Sequence, residues 1–121
     1  MTMNIFATHP DPEISARNHC DVHVIKMVTE CAQLLSTAHI VIDGKQIAYK
    51  KTHENHPCAL WVRESAANYK WAYEFYCSLL DEYEFRFDRM HASALHIFAL
   101  SNVPSIPNRF FAGGQIGRAH V

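Results

Sequence analysis

Apolar residues recur at helical spacing along the first long segment of the chain. Pro10-Asp11-Pro12-Glu13 is typical of a helix start, because proline is tolerated in the first turn and acids favour the positive end of the helix dipole. Neither Gly nor Pro occurs from Ile14 to about Ala38. One wide apolar face of this stretch is formed by Val24, Ile25, Met27, Val28, Cys31, Ala32, Leu34 and Leu35. The pattern predicts a long amphipathic helix.

The other face of this helix carries a stripe of groups that transfer protons or donate hydrogen bonds, formed by His19, His23, Lys26, Glu30 and Gln33. Two interpretations are open for Lys26 and Glu30. In the first, the two side chains form a solvated ion pair four residues apart. In the second, the lysine amine, which lies beside a carboxylate and imidazoles, acts as a base or forms a Schiff base. His19 and His23 have the spacing of a shared metal, but no third ligand accompanies them in a recognised pattern. We therefore predict no metal and no other cofactor.

A turn signal follows this helix. Asp43-Gly44 lies between the apolar runs 40–42 and 46–49. A tight turn needs the positive φ that Asp and Gly tolerate, so the pattern favours a small β-hairpin or an ordered loop near residues 40–49.

Two further helical regions follow. Pro57 fits an early position of the first, and Ser65 can cap a longer, aromatic-rich helix that runs to about Phe87. Residues 91–100 are predicted to form a short last helix. The fold class is therefore all-α, a compact helical bundle over residues 1–103, followed by an irregular, mobile tail over 104–121.

Length and charge narrow the possible functions. The 121 residues, 49% of them hydrophobic, suffice for one domain with its own core, and the formal net charge of -1 excludes nucleic-acid binding driven by global positive charge. Residues 43–73 nevertheless hold five basic and three acidic side chains, so phosphate can be attracted locally. The four cysteines lack a Cys-x-x-Cys pair and are predicted to be buried free thiols. No membrane span or signal peptide is evident, so we expect a cytoplasmic protein.

The segment from residue 51 to residue 71 is the densest in candidate binding groups, namely Lys51, His53, Asn55, His56, Arg63, Glu64, Asn68 and Trp71. An arginine grips phosphate bidentately, and an aromatic ring or an Asn can receive an unstacked base. The alternative is structural: Trp71 belongs to the core, Arg63 and Glu64 form a surface pair, and Asn55 caps a helix.

Three motifs resemble a set of small phage-encoded proteins grouped with the pyrimidine-dimer DNA glycosylases of the endonuclease V type. They are CDVHVIKMVTECAQLL at residues 20–35, NHPCALWVRES at 55–65 and NYKW at 68–71, and the similarity spans about residues 3–100. The resemblance implies a helical bundle that removes a damaged pyrimidine and then cuts the strand. The family uses an amine that forms an imine with the sugar and a carboxylate that assists.

When the family's roles are carried over to individual residues, the resemblance gives two candidates for the amine that forms the imine. In well-known members it is the α-amino group of a threonine exposed by removal of the initiator Met, a role that Thr2 can fill. Because Met3-Asn4-Ile5-Phe6 resembles the usual start of the phage group, Lys26 is the substitute amine. Glu30 is the expected carboxylate.

The expected scheme is thus a glycosylase with AP-lyase chemistry that acts on DNA in a phage-infected or prophage-bearing bacterial cell. His23 and His56 move protons, while Arg63 and Lys51 hold phosphate. Two other functions stay open. One is an enzyme that acts on a free nucleotide, and the other is a non-catalytic phage accessory protein that binds a host protein.

Overall fold

A computed structural model describes residues 10–106, and within them the fold is all-α. The elements, in chain order, are α1 (Pro12–Arg17), α2 (Asp21–Asp43), α3 (Pro57–Val62), α4 (Ala66–Phe87), a 3₁₀ helix (Ala92–His96) and α5 (Ile97–Leu100). Helix α4 packs against α1 and α2, and α3 contacts both α2 and α4. The all-α class expected from the sequence is confirmed.

Two helices begin at the residues that the sequence indicated. The Asp11 carboxylate accepts hydrogen bonds from the backbone N–H of Glu13 (2.8 Å) and of Ile14 (3.4 Å), with Pro12 as the first helical residue of α1. The Ser65 hydroxyl accepts from the N–H of Asn68 at 3.1 Å and caps α4. Such side chains satisfy amide groups that have no partner inside the helix.

Of the two predicted alternatives for residues 40–49, the β-hairpin does not form, because residues 40–43 are the last turn of α2. Gly44 has φ 70° and donates from its N–H to the Ile40 carbonyl at 3.0 Å, so it ends the helix in the left-handed conformation. The following residues form an ordered loop. Its backbone at Tyr49 and Thr52 exchanges hydrogen bonds with the hydroxyls of Ser36 and Thr37 on α2.

The long first helix is interrupted at residues 18–20, where α1 ends and α2 begins. Arg86, near the end of α4, fills this break: its guanidinium donates to the carbonyls of His19 (2.8 Å) and Arg17 (3.3 Å) and to the carboxylate of Asp21 (3.0 Å). Glu82 holds the same side chain at 2.9 Å. The interruption lets α1 lie against α4.

Arg86→Ala is expected to lower the free energy of unfolding by about 2 to 3 kcal/mol. The substitution leaves the carbonyls of Arg17 and His19 and the half-buried carboxylate of Glu82 without their donor. Urea denaturation measures the change. The neighbouring Arg89 is exposed, so Arg89→Ala is the control and should change stability by less than about 0.5 kcal/mol. Equal stability of the two variants would contradict the role given to Arg86.

Three tyrosines on one face of α4 hold the C-terminal helices. The hydroxyls of Tyr69, Tyr73 and Tyr76 donate to the carbonyls of Leu100 (2.7 Å), Ile97 (2.9 Å) and Ser93 (2.6 Å), respectively. Apolar core positions are supplied mainly by α2 and α4 and include Val24, Val28, Leu35, Phe75 and Leu79. The aromatic residues of α4 are therefore largely structural, as their distribution around the helix indicated.

Other expectations are corrected or restricted by the structure. The cysteines are free, but only Cys31 is buried; Cys20 is exposed, and Cys58 and Cys77 are half-buried. Ile25, expected on the apolar face of α2, is 44% exposed. Among the helices of residues 10–106, none combines the length and apolarity needed to cross a bilayer. Of the expected tail, only 104–106 is described, and it is irregular.

Candidate functional site

The polar stripe of α2 contains an acidic group without a partner. His23 and Lys26 are exposed, whereas Glu30 is half-buried. Its Oε1 atom is buried and has no hydrogen-bond partner among the described residues. Lys26 and Glu30 do not form an ion pair with each other in the described part of the chain. The interpretation of these two residues as a solvated ion pair therefore does not apply to this conformation. A carboxylate oxygen held out of water without a donor is costly unless a ligand or a reacting group uses it.

Glu30 faces the start of α3. The pKa of Cys58 is raised to about 11, first by burial and second by the negative charge of Glu30. The carboxylate therefore lies close enough to disfavour the thiolate form of Cys58. Helix α3 also packs against α2, so the second candidate segment lies beside the helix that carries the stripe.

A row of aromatic rings also connects the two segments. Trp61 and Trp71 are edge to face at 6.0 Å between ring centroids, and Trp71 stacks on Phe75 at 5.2 Å. Phe75 lies 5.5 Å from the ring of His19, which in turn lies 5.9 Å from the ring of His23. The row runs from α3 across α4 to the start of α2. Trp71 lies within it and is half-buried, so it packs against the core without being part of the buried interior.

The loop before α3 is basic, with one internal ion pair. Lys51 Nζ lies 2.7 Å from Glu54 Oε1, and both side chains are partly exposed. The pKa of Glu54 is lowered chiefly by this hydrogen bond and the Lys51 charge, with a smaller contribution from Arg63. Glu54 therefore lies near two of the cations expected to hold phosphate.

His53 and Asn55 are exposed on the same loop. His53 has φ 47°, a left-handed conformation that is uncommon outside glycine, and its Nδ1 lies 2.9 Å from the Thr52 hydroxyl. Asn55 does not cap α3. The capping residue is His56, whose Nδ1 accepts a hydrogen bond from the N–H of Cys58 at 3.1 Å.

Arg63, Glu64 and Asn68 lie where α3 ends and α4 begins. Arg63 is half-buried, and its Nη1 is buried without a hydrogen-bond partner within residues 10–106, whereas Glu64 is exposed. No ion pair joins these two neighbours in the described part of the chain. Asn68 is fully buried, and its Nδ2 donates to the Trp61 carbonyl at 2.8 Å. Asn68 thus holds the corner beneath the surface, while its Oδ1 is unpartnered among the described residues.

Thr2 lies outside the described residues. The first described residue, Pro10, is at the site, because its carbonyl accepts the indole N–H of Trp71 at 2.5 Å.

His19, predicted as part of the stripe, lies in the break before α2 and was not among the expected catalytic residues. It is only 8% exposed, and its Nδ1 lies 2.7 Å from the Ser15 carbonyl, to which it must donate. Its pKa is lowered, mainly by burial and further by the charges of His23 and Arg86. A neutral ring with its lone pair on Nε2 results. Its spacing from His23 was the available sequence signal, but burial could not be inferred from it.

Burial also lowers the pKa of His39 and of His91. The pKa of His19 is lowered as well, so all three histidines bind a proton less readily in the folded protein than in the unfolded chain, where the pKa of histidine is about 6.5. Stability is therefore fully present above about pH 6.5 and is lost as the pH falls below that value. We expect the melting temperature to decline between pH 7 and pH 5; an invariant melting temperature would contradict this.

A variant can attribute part of that decline to His39. Its Nε2 lies 2.9 Å from the Tyr69 hydroxyl, which itself donates to the Leu100 carbonyl, so Nε2 must donate. His39→Gln can keep this donor without titrating. The decline in melting temperature should be smaller in His39→Gln than in the wild type, and an unchanged decline would exclude His39 as a contributor.

A hollow of about 390 Å³ lies between α1 and α4, away from the candidate residues. Its lining includes the carboxylates of Asp11, Glu13 and Glu74. Three acidic groups repel phosphate. The surface formed by α2, α3 and the loop before α3 is therefore the better candidate for an anionic ligand.

The model of a family described as pyrimidine dimer DNA glycosylase matches residues 3–93, a range that includes α1 to α4 and therefore both of these surfaces. No curated protein and no solved structure matches the chain.

Proposed function

The chain belongs to the pyrimidine dimer DNA glycosylase family, and on that premise we propose that it removes a damaged pyrimidine from DNA and then cuts the strand by AP-lyase chemistry. We place this activity in the cytoplasm of a bacterial cell that carries the phage. The proposed site consists of the α2 stripe and the facing surface of α3 and its preceding loop.

In the proposed reaction, an amine attacks the sugar at C1′. The Lys26 amine or the α-amino group at Thr2 supplies the electron pair for the new C–N bond, and the pair of the broken glycosidic bond leaves with the base, which takes up a proton. The sugar ring opens to an imine. Loss of the C2′ proton then expels the 3′ phosphate, and water releases the amine.

Glu30 stabilises the positive charge that develops on the sugar and on the imine. His23, exposed on the same stripe, moves protons to the leaving base and from the sugar. Arg63 and Lys51 hold phosphates. These roles assign the chemistry to the α2 stripe and phosphate binding to Lys51 in the loop before α3 and to Arg63 at the end of α3.

The remaining residues are proposed to contact or position DNA. His53, Asn55 and Glu64 are exposed at the edge of the site, and Trp71 belongs to the aromatic row. Buried Asn68 acts by holding the Trp61 carbonyl at the corner of α3 and α4.

The observation that carries the proposal is the buried, unpartnered Oε1 of Glu30. Structural carboxylates acquire donors, and an unpaired one is retained at a cost in stability. In a chain of this family, positive charge developing on the nearby sugar gives that oxygen its partner during the reaction.

Incision of a duplex with one pyrimidine dimer tests the proposal. We expect cutting at the dimer, with a 5′ phosphate on one fragment and an unsaturated aldehyde on the other, and no cutting of the undamaged duplex. A chain that binds neither duplex but turns over a free damaged nucleotide would instead be the nucleotide-processing enzyme that the net charge of -1 suits.

An accessory protein remains the other candidate, because Phe85, Leu95 and Phe98 are each at least 85% exposed. Exposed apolar groups of this size occur at protein interfaces. Host-protein capture that depends on these residues, together with no action on dimer DNA or nucleotides, would favour it over the glycosylase.

A further inference from the structure

The ring of His56 is fixed in one hydrogen-bonding state. A backbone N–H can only donate, so the Nδ1 atom that faces the Cys58 N–H at 3.1 Å must accept. In the neutral ring the proton is therefore on Nε2. The half-buried side chain presents one defined donor beside the site.

The other end of α3 also carries a donor without an acceptor. Arg63, the residue that ends this helix, has a buried Nη1 without a hydrogen-bond partner among the described residues. Glu54, the nearby carboxylate, is already engaged by Lys51 at 2.7 Å. Phosphate oxygens recur at regular spacing along the DNA backbone, and such oxygens would be acceptors for His56 Nε2 at one end of α3 and for Arg63 at the other.

We propose that His56 is a fixed hydrogen-bond donor to a phosphate oxygen of the bound DNA and does not move protons. This inference rests on the proposed function. Protonation of Nδ1 would replace the acceptor of the Cys58 N–H by a second donor and open the first turn of α3. A hydrogen bond from Nε2 requires no change in protonation and leaves that turn intact, which is why the structure favours it over the proton transfer expected from the sequence.

The chain contains a matched control for this residue. His91 caps the 3₁₀ helix in the same way, with its Nδ1 accepting from the Ser93 N–H at 3.0 Å. It lies against Tyr83 near the end of α4, at 4.9 Å between ring centroids, whereas His56 lies at the start of α3. The two histidines thus share a capping role and differ in their relation to the site.

His56→Asn and His91→Asn are the test variants. Asn is among the strongest helix caps, and its amide oxygen takes the place of Nδ1, while no atom replaces Nε2. Affinity is measured by fluorescence anisotropy on a duplex that contains a stable abasic-site analogue. We expect about tenfold weaker binding by His56→Asn, the usual size of a lost hydrogen bond to a charged group, and unchanged binding by His91→Asn.

The pH profile of kcat/KM on dimer DNA separates a donor from a proton-transfer group. For His56→Asn we expect the wild-type profile, lowered uniformly. Loss of one limb of the profile would overturn the proposal, as would wild-type affinity in His56→Asn. If this variant melts well below His91→Asn, the comparison is made with His56→Ser, since a serine hydroxyl also caps helices.

The two proposals fail in different ways. A wild-type protein that cuts dimer DNA while His56→Asn matches His91→Asn in affinity removes the phosphate donor alone. A wild-type protein that neither binds nor cuts dimer DNA removes the proposed function, and the donor role of His56 with it.

Discussion

Glu30→Gln is expected to lower the single-turnover rate of incision at a pyrimidine dimer by about 10²- to 10⁴-fold, with little change in DNA affinity. Glutamine has nearly the same shape but carries no charge, so it cannot stabilise the cationic sugar or accept a proton. The rate is measured by rapid quench on a duplex with a single dimer. Glu84→Gln, which changes an exposed carboxylate near the end of α4, is the control and should incise at the wild-type rate.

The same substitution is expected to raise the melting temperature. Glu30 is half-buried, with Oε1 buried and unpartnered among the described residues, and neutralising the carboxylate lowers the desolvation cost of that oxygen. A large loss of rate together with a gain in stability is characteristic of a functional group that lowers the stability of the folded protein. Incision by Glu30→Gln at the wild-type rate would place the assisting carboxylate elsewhere.

Arg63→Ala is expected to weaken binding to dimer DNA by about 10- to 100-fold and to reduce the slope of log affinity against log salt concentration by about one. The guanidinium is half-buried, with Nη1 lacking a hydrogen-bond partner among the described residues. A phosphate would take up that donor and release a counterion. Binding is measured by anisotropy over a range of salt concentrations, and Arg63→Lys should recover the slope but only part of the affinity, because lysine lacks the bidentate fork.

Glu54→Gln should act in the opposite direction. Glu54 pairs with Lys51 at 2.7 Å and also feels the charge of Arg63, so it competes with phosphate for both cations. Its neutralisation is expected to tighten DNA binding several-fold and to steepen the salt dependence. An Arg63→Ala variant with unchanged salt slope, or a Glu54→Gln variant that binds more weakly, would contradict this assignment of the phosphate contacts.

Helix starts could be predicted because their causes are local. Asp11, Pro12 and Ser65 act on backbone groups within three residues. The turn at Asp43-Gly44 was ambiguous, because a positive φ at glycine ends a helix as readily as it forms a hairpin. The choice was made by the buried hydroxyls of Ser36 and Thr37, which bind the loop backbone and keep the last turns of α2 in place.

The break between α1 and α2 could not be predicted, because its stabilising partner is distant. Arg86 reaches the His19 carbonyl across 67 positions of sequence. No local pattern marks residues 18–20 as the point where backbone carbonyls receive a side chain from another helix.

The candidate site was partly predictable for the same reason. Helical spacing alone placed His23, Lys26 and Glu30 on one stripe. The burial of Asn68, the cap made by His56 and the competition from Glu54 depend on how α3 and its loop pack. They change the assigned roles: Asn68 supports the site instead of contacting DNA, and His56 donates a hydrogen bond instead of moving a proton.

Borohydride trapping tests most directly the central claim that an amine beside Glu30 forms an imine with the damaged sugar. Wild-type protein mixed with a dimer-containing duplex and sodium borohydride should give a covalent adduct on a denaturing gel, and peptide mapping should place the DNA on Lys26 or on the amino-terminal residue. Undamaged duplex should give none. Bound dimer DNA without any adduct, or an adduct on a lysine remote from α2 and from the chain start, would contradict the claim.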